Sequence, residues 1–88
     1  METNHTQGNW HAHDGQIYPE QTGVTVALIP YFDKDNAEHQ ANSKLIAAAP
    51  DMLKALQQFL HSVEHEGVVS GRVVDAVRNA KEAIYKAL

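Results

Sequence analysis

Eighty-eight residues, 43% hydrophobic and 20% charged, fit one small domain spanning residues 1–88. A chain this short buries only about 60–65% of the surface it exposes when unfolded, and the absence of cysteine excludes disulfides and thiolate metal sites. Assembly with further copies of itself, a homo-oligomer, is therefore expected. The net charge of −4 is wrong for duplex DNA, which demands several phosphate-neutralising cations. No apolar run, Leu45 to Pro50 included, comes near the roughly 20 residues of a membrane span. A polar N-terminus without a basic region leading into an apolar one predicts no signal peptide, hence a cytoplasmic location.

Residues 1–15 are polar and rich in Asn, Gly and His, and are expected to be irregular, with Trp10 packed on something. Gln16 to Tyr18 and the β-branched run Val24 to Ile29, bounded by Gly23 and Pro30, read as two strands of a short hairpin over residues 16–30. Two strands alone are marginal in water, so the hairpin needs a helix or a second copy on its apolar face. From Asp35 the period becomes helical. Asp35 and Glu38 have capping-box spacing, and Ala37, Ala41, Leu45 and Ala48 recur as a face. Pro50 ends or kinks this helix and suits the first turn of a second, with Leu53, Leu56, Phe59, Leu60 and Val63 on one side. Ser70 is a fitting N-cap for a third, whose apolar face is Val73, Val77, Ala80, Ile84 and Leu88. A short turn at Glu66–Val69 predicts an antiparallel pair of helices. The predicted class is α+β: an N-terminal β-hairpin packed on three helices over residues 35–88, the first two meeting at Pro50.

Charge is uneven. Residues 1–43 carry a net −5 and residues 70–88 a net +2. On the third helix Arg78, Lys81 and Tyr85 share a stripe at i, i+3 and i+7, with Arg72 one turn and a half earlier. Cations beside an aromatic ring suit a nucleotide, phosphate on the cations and base on the ring. Trp10 is a further stacking candidate, though a sole Trp is more often a plug over the core than a ligand platform. The same stripe also fits a solvated helix edge, with Arg78 and Lys81 pairing with Asp75 or Glu82.

His61-Ser-Val-Glu64-His65 spells H-x-x-E-H, in which two histidines one turn apart hold zinc and the glutamate acts as base. That chemistry requires a third ligand and a cleft, for which this chain is short. His11 and His13 alternate on an extended segment and are a second weak metal pair. No strained G-x-S-x-G turn and no P-loop lysine accompany the serines and glycines, so no enzyme and no cofactor are expected.

The block Ala41-Asn-Ser-Lys-Leu-Ile-Ala-Ala-Ala-Pro-Asp-Met-Leu-Lys-Ala-Leu56 resembles the A-N-x-x-L-I-A-A-A-P-x-L-L-x-A-L pattern of small accessory proteins of tailed phages and prophages. Thr6-Gln-Gly-Asn-Trp10 is similar to that family's T-P-G-P-W opening but lacks both prolines, and Ala80-Lys-Glu-Ala-Ile-Tyr-Lys-Ala87 is similar to its closing helix. The resemblance brings no catalytic or binding residues with it. It implies a setting: a non-enzymatic phage protein in the host bacterial cytoplasm that counters antiviral defence. The expected means is sequestration of an anionic nucleotide signal, such as a cyclic nucleotide, between copies of this chain near Arg72, Arg78, Lys81 and Tyr85. The alternative is an inhibitor or adaptor that presents its acidic half to a host defence or regulatory protein; a metal-dependent hydrolase built on His61, Glu64 and His65 is a remote third.

Overall fold

In the computed structural model the described residues are 4–66 and 71–88, with the side chains of residues 65, 66 and 71–73 also outside the description. The short strands β1 (Trp10–His13), β2 (Gln16–Pro19) and β3 (Ala27–Leu28) precede the helices α1 (Ala37–Ala47), α2 (Ala49–Glu66) and α3 (Gly71–Ala87). The class is the α+β one read from the sequence. The chain divides into two compact units, His5–Asp51 and a second that contains Met52–Leu88.

In the first unit the strands form an antiparallel sheet in the order β1-β2-β3. Trp10–His13, expected to be irregular, is its first strand. Asp14 and Gly15 join it to β2 with φ of 49° and 80°, the doubly positive geometry that suits a two-residue hairpin turn. The Asp-Gly pair is the signal for that turn, and Trp10-His11-Ala12-His13 alternates apolar and polar, but over only four residues and with Ala12 as its second apolar side chain. The second strand segment is also shorter than expected, Ala27–Leu28 instead of Val24–Ile29. Gly23 N–H donates to Pro19 O at 3.0 Å, so the end of β2 is already turning and leaves Val24 and Thr25 no strand to pair with.

Ile17 and Pro19, two residues apart on the central strand, are completely or nearly completely buried, and α1 packs across β1 and β2. The helix begins one residue later than the sequence implied. Asp35 N–H donates to Asp33 Oδ1 (2.9 Å) and Asn36 N–H to Asp33 O (3.0 Å), a local turn that leaves Asn36 extended. Asn36 Oδ1 then accepts from Glu38 N–H and His39 N–H, and is the cap in place of Asp35. The buried position of α1 is Ser43, whereas Leu45 of the expected face is 60% exposed. The small apolar residues of α1 give it little one-sidedness, so their spacing misidentified the face that packs.

Ala48 ends α1, and Pro50 occupies the first turn of α2, where its missing N–H costs no helical hydrogen bond. In the second unit Leu60, Ala80 and Ile84 are buried, while Leu53, Leu56, Val63 and Val77 are half-buried. These belong to the faces read from the sequence; Phe59 and Leu88 of the same faces are about half exposed. Glu64 Oε1 of α2 meets Lys81 Nζ of α3 at 3.1 Å. The turn expected at Glu66–Val69, the cap Ser70 and the side chain of Val73 lie outside the described residues.

Two substitutions test this packing. A Cβ on Gly15 would stand 2.5 Å from Phe32 Cβ, in a left-handed backbone position. Gly15→Ala is expected to destabilise the protein by about 2 kcal/mol or more in urea unfolding, strain and overpacking together. Ser43 is 3% exposed and its Oγ has no hydrogen-bond partner among the described residues. Ser43→Ala removes an unsatisfied hydroxyl and is expected to stabilise by up to about 1 kcal/mol in the same assay.

Candidate functional site

The residues proposed from sequence divide between the two units. Trp10 opens β1 opposite Pro19 in the first; its indole N–H donates to Thr6 O at 3.0 Å and its ring stands edge-on to His5. That half-buried position makes it part of the sheet's own packing. Arg78, Lys81 and Tyr85 lie on α3 in the second unit, and the side chain of Arg72 lies outside the described residues.

On α3 both described cations of the stripe already hold a carboxylate. Arg78 Nη2 lies 3.0 Å from Asp75 Oδ1, one helical turn earlier, and Lys81 Nζ reaches Glu64 across to α2. Both pairs are well exposed, and such pairs contribute only about 0–1 kcal/mol, so an anion could displace the carboxylates at small cost. The stripe is nonetheless close to charge-neutral, with Tyr85 65% exposed beside it.

The H-x-x-E-H string fares in the same way. Glu64 serves Lys81, His61 is exposed, and the side chain of His65 lies outside the described residues. His61 and Glu64 line a shallow depression with Gln57 and Leu60. On β1, His11 Nε2 is 3.8 Å from Glu20 Oε1 and His13 Nε2 is 3.3 Å from Asp14 Oδ2, so each imidazole has its own carboxylate. Among the described residues no three His, Cys, Asp or Glu side chains gather in a way that could hold a metal ion.

Sequence reasoning passed over a different cluster, in the first unit. Val24, Val26 and Leu28 are 66%, 36% and 64% exposed, and Tyr31 is 97% exposed with φ of 56°. Leu28 pairs with Gln16 and Ala27 with buried Ile17, so Leu28 projects from the sheet face opposite Ile17. The β-branched run was readable as a strand; which of its faces stays uncovered was not. Charge concentrates in the same unit. Its six carboxylates, Asp14, Glu20, Asp33, Asp35, Glu38 and Asp51, stand against Lys34 and Lys44, leaving −4. Met52–Leu88 has five cations against four carboxylates and is nearly balanced.

A family model described as Salmonella phage P22 protein Y8K6 matches residues 1–88, so the whole chain falls within that family. No curated protein and no solved structure matches. Among the described residues no helix is long and apolar enough to cross a membrane.

Proposed function

We propose, on the premise that the chain belongs to the family of Salmonella phage P22 protein Y8K6 and is a small phage protein, that it acts without catalysis by binding a host protein. The observation that carries this reading is the segregation of charge: the unit His5–Asp51 holds the −4 and an exposed apolar segment, while Met52–Leu88 is nearly neutral. An acidic surface speeds encounter with basic partners and repels acidic ones, and exposed apolar side chains provide what holds after encounter. A protein of a defence or regulatory system in the host cytoplasm is the partner class that suits a phage accessory protein. Immobilised protein is expected to retain a discrete host protein at low salt and to release it as ionic strength rises. Neutralising Glu20, Asp35 and Glu38 together (Glu20→Gln, Asp35→Asn, Glu38→Gln) should abolish retention; equal retention by wild type and variant contradicts the reading.

A second reading, sequestration of an anionic nucleotide within a homo-oligomer, draws on the Arg78, Lys81 and Tyr85 stripe. It is the weaker one because both cations already hold carboxylates. It predicts a rise in melting temperature with cyclic nucleotides at millimolar concentration that Arg78→Ala removes; no shift across a panel of them discards it.

A further inference from the structure

We propose that the segment from Val24 to Tyr31 is the docking surface itself, and that its occupant is a basic protein segment bearing apolar side chains. This rests on the protein-binding reading above and specifies where and what it binds. Tyr31 is the centre of the proposal. Its side chain is 97% exposed, and its backbone takes the left-handed conformation that a bulky L-residue adopts only under strain. The neighbour Phe32 turns the other way, over Gly15 and alongside the His39 ring at 6.1 Å. One aromatic is thus used for the fold and the next is displayed.

The chain that follows Tyr31 is held by its own hydrogen bonds. Asp33 N–H donates to His39 Nδ1 at 3.0 Å, Asp35 N–H to Asp33 Oδ1, Asn36 N–H to Asp33 O, and the Gln40 side-chain amide to Lys34 O at 2.9 Å. An aromatic ring presented from a tied loop loses little conformational freedom on binding, the property that makes tyrosine a frequent interface anchor. Val24, Val26 and Leu28 add exposed apolar surface within the same eight residues.

Charge identifies the occupant. Asp33, Asp35 and Glu38 follow Tyr31 within seven residues, with Lys34 the lone cation among them. A second copy docking here through the same unit would bring another −4 against the first and be repelled, and its Met52–Leu88 half, at net +1, offers little attraction. A basic segment is attracted, and its apolar side chains find Tyr31 and Leu28.

Fluorescence anisotropy with the full chain and two twelve-residue peptides of equal positive charge tests this. One peptide intersperses Leu and Trp among its lysines; the other has Ser and Gly in their place. The apolar peptide is expected to bind at least tenfold more tightly. Tyr31→Asn should erase that preference without lowering the melting temperature, because Asn tolerates positive φ; Leu28→Thr should reduce it and Tyr85→Ala leave it intact. Equal affinity for the two peptides, or a preference that survives Tyr31→Asn, overturns the proposal. So does a sedimenting dimer that Tyr31→Asn returns to monomer, since a second copy would then cover the face. A host protein retained equally by wild type and Tyr31→Asn overturns this surface and leaves the protein-binding reading standing; retention of nothing by wild type overturns both.

Discussion

The burial of Ile17 and Pro19 is the contact on which the N-terminal half depends. Both project from the central strand of a sheet whose strands are four, four and two residues long, too little for independent stability. With α1 across β1 and β2, full burial of one Ile side chain contributes about 1.5–3 kcal/mol, a large share for a unit of this size. The Asp14–Gly15 turn holds β1 in register with β2, and the absence of a side chain at Gly15 lets Phe32 close over the turn.

This economy has a consequence for the surface. Helix α1 covers part of a sheet with two edges and two faces, and the segment leading into β3 keeps Val24, Val26 and Leu28 exposed. Isolated exposed apolar residues are ordinary, but four within eight residues, ending in a strained and wholly exposed tyrosine, are not what solubility alone favours. The six carboxylates of the same unit favour hydration around such a surface. Leu28 thus stands on the sheet face opposite buried Ile17.

Features governed by local stereochemistry were legible in the sequence. Pro50 separates α1 from α2 because its ring and missing N–H act wherever it stands, and the buried Leu60, Ala80 and Ile84 of α2 and α3 lie on strongly periodic faces. What eluded the sequence depended on tertiary partners. Strand β1 is four residues long, and its alternation of Trp10 and Ala12 with two histidines is too short to stand out without the pairing to β2. Asn36 displaces Asp35 as the cap because Asp33 turns the chain just before it. Leu45 follows the helical spacing yet stays exposed, while Ser43 is buried. The candidate site shows the same divide. Arg78, Lys81 and Tyr85 share the expected stripe, and the Asp75 partner of Arg78 lies one turn away on the same helix, but the partner of Lys81 is Glu64 of α2, which spacing along α3 does not show. Tyr31 carried no sequence signal, since neither its positive φ nor its exposure follows from the Pro-Tyr-Phe string.

A preformed docking surface on the acidic unit requires the loop after Tyr31 to be fixed before any partner arrives. Amide hydrogen exchange of the free protein addresses it most directly. Protection well above that of an unstructured chain is expected at Asp33, Asp35 and Asn36, whose N–H groups are each hydrogen-bonded. Exchange of these three amides at the unstructured rate, with β2 still protected, would contradict it.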